Sequence, residues 1–129
     1  SRKNSLPTNI SIRDIIKIPL IVREKGSGTR HSYEVALNRK GAYIPDMNVV
    51  MECSTSEMVR EAVLSGVGAA FISTLAVERE LESGVLDRID IKGMRIPRTF
   101  YFVTVKDKKM ERPVQLLYAE IKKMGKDER

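Results

Sequence analysis

The apolar positions fall into short blocks, and the spacing within each block predicts what it forms. Pro19-Leu20-Ile21-Val22 followed by Arg23-Glu24 reads as a buried strand over 19–24. It runs directly into Lys25-Gly26-Ser27-Gly28-Thr29-Arg30, after which Tyr33 and Val35-Ala36-Leu37 predict a helix over 29–39 that closes near Gly41. Pro45-Asp46 marks a turn, and Val49-Val50-Met51-Glu52-Cys53 is β-branched and apolar enough for a second strand. Ser54-Thr55-Ser56-Glu57 then supplies capping hydroxyls and a first-turn acid. The stripe Met58, Val59, Ala62 and Val63 continues as a helix to Gly66.

Gly68-Ala69-Ala70-Phe71-Ile72 predicts a short buried strand, and Ser73-Thr74 caps a helix over 75–82 that Gly84 ends. Alternation over 86–91 fits a half-exposed strand, and the run over 99–105 is the most apolar strand of the chain. A last helix begins near Pro113 and carries Leu116, Leu117, Ala119, Ile121 and Met124. Ahead of all these, Ser11-Ile12-Arg13-Asp14 offers a capped start for a short helix through Lys17. Strands alternating with helices make the fold class α/β, with a largely parallel sheet.

Composition narrows the picture little. At 129 residues, 42% hydrophobic and 31% charged, the chain fits one ordinary domain. No apolar run approaches the roughly 18 residues that span a bilayer, so no membrane association is expected. The start, Ser1-Arg2-Lys3-Asn4-Ser5-Leu6-Pro7, lacks the pattern of a secretory signal, and the lone Cys53 suits a reducing compartment. A cytoplasmic location is the expectation. With one His and one Cys, a Cys/His zinc site is not expected, nor is any cofactor. The net charge of +6 invites a nucleic-acid reading. The densest basic segment, Lys106-Asp107-Lys108-Lys109, is however broken by an acid and has no interleaved aromatics, so it reads as solvated surface.

The candidate chemistry lies where strands give way to helices. In α/β sheets ligands collect at the carboxyl ends of strands, where helix N-termini present unpaired amides and partial positive charge. Three such junctions carry hydroxyls: Gly26-Ser27-Gly28-Thr29-Arg30, Ser54-Thr55-Ser56 and Ile72-Ser73-Thr74. Two readings stand for them. The hydroxyls form a pocket for a carboxylate, sulfate, phosphate or amino-acid-like group, or they are helix caps and the glycines a tight turn. A dinucleotide fingerprint fails because His31 stands where the third glycine belongs, and a P-loop fails for want of Gly-Lys-Ser/Thr. No catalytic arrangement surrounds His31, and Glu24 and Glu52 alone do not make an acid/base pair, so an enzyme is not expected. Cys53, Met51, Met58, Phe71 and Phe100-Tyr101-Phe102 read as core, His31 as surface.

The order of these segments resembles a known family. Ile21-Val22-Arg23-Glu24-Lys25-Gly26-Ser27-Gly28-Thr29-Arg30, then Met51-Glu52-Cys53-Ser54-Thr55-Ser56-Glu57-Met58-Val59-Arg60-Glu61-Ala62-Val63, then Gly66-Val67-Gly68-Ala69-Ala70-Phe71-Ile72-Ser73 look like the effector domain of LysR-type transcriptional regulators. Ala76 to Leu86 and Arg98 to Val103 resemble the family's next helix and returning strand. The resemblance implies a two-lobed, periplasmic-binding-protein-like type II fold with an effector between the lobes. By the same resemblance 18–95 is the second lobe, 98–125 is the return segment of the first, and the helix-turn-helix is absent. DNA would then be reached only through a helix-turn-helix domain outside this chain. Ser27, Gly28, Thr29, Thr55 and Ser73 are implied as one wall of the effector cleft, with Arg30 as an anion holder. The expected partners are a small polar or anionic effector and a second copy, because an orphaned return strand exposes an apolar edge. The alternative is the solute-binding protein of a transporter with the same two-lobed fold.

Overall fold

A computed structural model describes residues 7–98, 103, 106 and 109–127. The chain divides into two compact units, Ser1–Pro97 and Arg98–Arg129. The strand expected over 99–105, with the core role expected of Phe100, Tyr101 and Phe102, lies outside the described residues apart from Val103.

The first unit is built on a parallel three-stranded sheet of β2 (Leu20–Arg23), β3 (Val49–Cys53) and β4 (Ala69–Ala70), in the order β3-β2-β4. Helix α1 (Gly28–Arg39) connects β2 to β3, and α2 (Ser56–Leu64) connects β3 to β4. The two helices cover opposite faces. Leu20 and Val22 pack with Tyr33, Leu37, Ile44 and Met47 on the α1 side, whereas Ile21, between them in β2, packs with Cys53, Val59 and Ala62 on the α2 side. The two-residue period of the strand is what sorts them.

Pairing between β2 and β3 is not uniform. Leu20 aligns with Val49 and Ile21 with Met51, so Val50 is an extra residue in β3, a bulge. Beyond it Val22 aligns with Glu52 and Arg23 with Cys53. On the other side of β2, Gly68 leads into β4 so closely beneath Pro19 that a Cβ there would meet the Pro19 carbonyl oxygen at 2.4 Å. Only glycine admits the bond from the Ala69 N–H to Pro19 O at 2.9 Å without displacement.

Several elements differ in detail from the sequence reading. Met51 and Met58, expected in the core, are 37% and 43% exposed. β3 is an edge strand, and Met58 lies in the first turn of α2 on the flank that Val59 and Ala62 leave outside. Phe71 is half-buried, stacked on Tyr33 with ring centroids 4.8 Å apart. The helix expected over 75–82 is two pieces, a 3₁₀ turn at Thr74–Val77 and α3 (Glu78–Glu82), because Val77 leaves the helical region at φ −130° while its side chain is buried. Of the strand expected over 86–91, only β5 (Asp90–Ile91) forms a ladder. It pairs in parallel with β1 (Asn9–Ile10), which nothing in the sequence pattern announced. The short helix before β2 is a 3₁₀ turn at Asp14–Lys17, whose Asp14 carboxylate accepts from both the N–H (3.1 Å) and the hydroxyl (2.7 Å) of Ser11.

In the second unit α4 (Arg112–Asp127) starts with Pro113 in its first turn, as expected, and leaves Leu116, Leu117 and Met124 exposed.

Candidate functional site

Because β3, β2 and β4 are parallel, their carboxyl ends share one edge of the sheet. The three hydroxyl-bearing loops therefore lie side by side in strand order: Ser54-Thr55 after β3, Ser27-Gly28-Thr29 after β2, Ser73 after β4. The loops of β2 and β3 lead to helices on opposite faces of the sheet. Such a reversal opens a crevice between the two helix N-termini, the usual place for a ligand in an open α/β sheet.

Local chemistry fixes each loop. Gly26, at φ +95°, takes a left-handed conformation that side chains disfavour, and the turn closes with the Ser27 N–H donating to Glu24 O at 3.2 Å. Ser27 caps α1: its Oγ accepts from the Arg30 N–H at 3.3 Å. Thr55 caps α2 in the same way, accepting from the Met58 N–H at 3.1 Å. Ser73 stands at the cap position of the 3₁₀ turn but makes no side-chain cap bond. The capping reading thus holds for Ser27 and Thr55. It does not remove them from a ligand's reach in chemical terms, since a hydroxyl that accepts one bond keeps its own hydrogen to donate. Gly28 opens α1 and is exposed; Thr29, next to it, is half-buried.

Arg30 behaves differently from the five neutral positions. It is 5% exposed, with Nε donating to Glu34 Oε1 at 2.8 Å and Nη1 donating to Arg23 O at 2.8 Å and Glu52 Oε2 at 3.3 Å. Burial pulls its pKa down, but the bond to Glu34 and the nearby carboxylates outweigh this and hold it above the ordinary arginine value. Its guanidinium is committed to tying α1, β2 and β3 together. Arg30 lines a cavity of about 370 Å³ on the α1 face of the sheet, to which Ser27, Gly28, Thr29, Thr55 and Ser73 do not contribute.

Two residues that the sequence reading passed over organise the edge. Arg23, the last residue of β2, grips both oxygens of Glu24 (2.8 and 3.1 Å) and donates through Nη1 to Ser56 Oγ at 2.8 Å, linking the β2 loop to the start of α2. The bond from Arg23 holds the Glu24 carboxyl below its usual range. Tyr33 stacks on Phe71 in the β4 loop, while its hydroxyl accepts from the Arg23 N–H at 3.3 Å. Burial pushes that hydroxyl's pKa up. The signal for Arg23 was a charged residue closing an otherwise apolar strand; for Tyr33 it was a polar tip on a buried helical position. Among the described residues no group of three or more His, Cys, Asp or Glu is placed to hold a metal, and no helix is long and apolar enough to cross a membrane. His31 is on the surface and Cys53 is a buried free thiol in the α2-side core.

Comparison with known proteins sharpens this picture. Residues 5–126 match the family described as LysR substrate binding domain. The HTH-type transcriptional regulator CbbR of Xanthobacter flavus is 34% identical over 101 residues, covering 78% of this chain and 30% of that protein. The HTH-type transcriptional activator CmpR of Synechocystis is 33% identical over 101 residues, 78% of this chain and 32% of its own length. A protein named Phosphonates import ATP-binding protein PhnC, from Anaeromyxobacter dehalogenans, is 36% identical over 97 residues, 75% of this chain and 20% of its length. The chain therefore spans a fifth to a third of the length of these curated relatives.

Proposed function

Since the chain belongs to the LysR substrate binding domain family, we propose that it is the small-molecule-sensing part of a LysR-type transcriptional regulator and not an enzyme. The family's fold is the periplasmic-binding-protein-like type II fold, and the mixed α/β architecture with parallel sheets is of that kind. In this reading 18–95 is the second lobe and 98–125 returns to the first. The division of the chain after Pro97 and the exposed apolar residues of α4 support it. DNA is read by a separate helix-turn-helix domain, as the names of CbbR and CmpR suggest, and the regulator works in the cytoplasm as a dimer.

The effector is a small anion, carboxylate or amino-acid-like molecule, and Ser27, Gly28, Thr29, Thr55 and Ser73 form one wall of its cleft. The observation that carries this is the gathering of three hydroxyl-bearing loops, two of them opening capped helices, along one carboxyl edge. Helix N-termini favour negative charge by their dipoles and unpaired amides. Arg30, being occupied by Glu34 and Glu52, orders the wall from behind rather than holding the anion.

A thermal-shift screen of this chain and of the full-length protein tests the assignment, using sulfate, phosphate, methylphosphonate, small carboxylates and amino acids. The phosphonate is included because one relative is named for phosphonates import. A ligand at about 100 times its Kd stabilises the native state by about 2.7 kcal/mol, a rise on the order of 10 °C in Tm. The expected result is one responsive class, with the shift lost in Thr29→Ala. No response from either protein to any class overturns the effector assignment.

A further inference from the structure

We propose that the cavity on the α1 face, flanked by α1, β3 and the turn at Ile44–Asp46, is a second small-molecule site, and that it takes a zwitterion with an aliphatic body, such as a free aliphatic amino acid. It is independent of the hydroxyl-lined edge, which contributes none of Ser27, Thr29, Thr55 or Ser73 to it.

The β3 bulge builds this site. In a regular strand Val49 would share a face with Met51 and oppose Glu52. The extra residue Val50 puts Val49 opposite Leu20 and Glu52 opposite Val22, so Val49 and Glu52 both face α1 while Met51 and Cys53 face α2. An apolar residue and a carboxylate are thereby delivered to one cavity wall by two positions three apart. The floor is apolar, formed by Val22, Ile44 and Met47, all of which are buried. A volume of about 370 Å³ lies at the low end of the range of small-molecule pockets and is ample for a free amino acid.

The charged rim selects the ligand. Arg30 and Lys25 carry two positive charges, Glu34 and Glu52 two negative, so the lining is neutral overall and favours a ligand that is itself neutral overall. Arg30 is held by both glutamates, which fixes the rim before any ligand arrives. Glu52 uses only Oε2 on Arg30 and its side chain is 58% exposed, leaving Oε1 for an ammonium group. Lys25, exposed in the turn after β2, makes no ion pair among the described residues and is placed to receive a carboxylate. The aliphatic body then lies against Val49 and Pro45, the exposed apolar residues of the lining, gaining on the order of 25 cal/mol for each Å² withdrawn from water.

Isothermal titration of the chain with L-leucine, 4-methylpentanoate (no ammonium) and 3-methylbutylamine (no carboxylate) tests this. The expected result is saturable binding of leucine, at least tenfold weaker for either truncated compound. Lys25→Ala, at an exposed position, and Glu52→Gln should each weaken leucine about tenfold, while Lys17→Ala, exposed and outside the cavity lining, leaves it unchanged. The proposal is overturned if leucine does not saturate, if either truncated compound binds as well, or if Thr29→Ala abolishes binding while Lys25→Ala and Glu52→Gln do not.

Discussion

The two faces of β2 are held by very different amounts of core. On the α1 side Leu20 and Val22 join a cluster of eight buried residues, backed by Phe71, Ile91 and Met94. On the α2 side Ile21 meets only Cys53, Val59 and Ala62, with Val63, Ala70 and Ile72 partly covering them. The strand is the same and its side chains are equally apolar; the difference lies in what the connections deliver. The α1 side collects α1, the Asp14–Lys17 and Ile44–Asp46 turns and the β4 loop, whereas the α2 side collects one two-turn helix. The richer face also positions the candidate site, because Tyr33 and Arg30 reach from it to the ends of all three strands. On this thinner face the Arg23 to Ser56 bond and the bond from the Glu24 N–H to Cys53 O at 3.0 Å tie the β3 loop and the start of α2 to β2.

The largest test of this asymmetry is a pair of truncations. Leu37, 0% exposed in the α1-side cluster, should lose about 4 kcal/mol as Leu37→Ala, which removes three carbons, and Val59→Ala on the α2 side, which removes two, about 2 kcal/mol, measured by urea unfolding. Equal losses per carbon removed would mean that the two faces are equally tight. Gly68→Ala, which touches neither cluster but forces a methyl group against the Pro19 carbonyl, should cost about 1–3 kcal/mol, read as a lower Tm. The caps come next. Ser27→Ala and Thr55→Ala should each lose about 1 kcal/mol, whereas Ser73→Ala, whose hydroxyl makes no cap bond, should lose markedly less.

The smallest effect is electrostatic. The Glu24 and Glu80 carboxyls lie below their usual range because Arg23 and Arg60, respectively, donate to them. A depressed folded pKa contributes stability that is present above the unfolded value, about 4.3, and is lost as pH falls through the folded one. Acid titration of Tm should therefore show a decline beginning near that value, and Arg23→Gln and Arg60→Gln should each flatten it. A wild-type decline that begins only well above it would point to other groups.

The long elements were legible because their signals are local. The apolar run before Arg23, the hydroxyls of Ser27 and Thr55 and the stripe of Val59 and Ala62 each state a period or a cap within a few residues. The three candidate loops were legible for the same reason, since a strand, a hydroxyl and a helix start follow one another in sequence. β1 was not, because a two-residue strand carries no period and exists only by pairing with β5, where Asn9 meets Asp90 and Ile10 meets Ile91. Nor was the exposure of Met51, which depends on β3 being an edge among the described strands, or of Met58, which depends on the flank of α2 that packs on the sheet, nor the occupation of Arg30, whose partner Glu52 lies 22 residues on.

The sequence by itself therefore determined the α/β class, the helix starts and the residue types that gather at the strand ends, since periodicity, capping and turn chemistry act over a few bonds. Only the tertiary structure decided the strand order, the bulge that turns Val49 and Glu52 onto one face, and the use of Arg30 as an internal tie rather than an open anion holder. Those outcomes depend on contacts between segments far apart in the chain, and such contacts are settled by which packing buries the most apolar surface while leaving every buried charge paired.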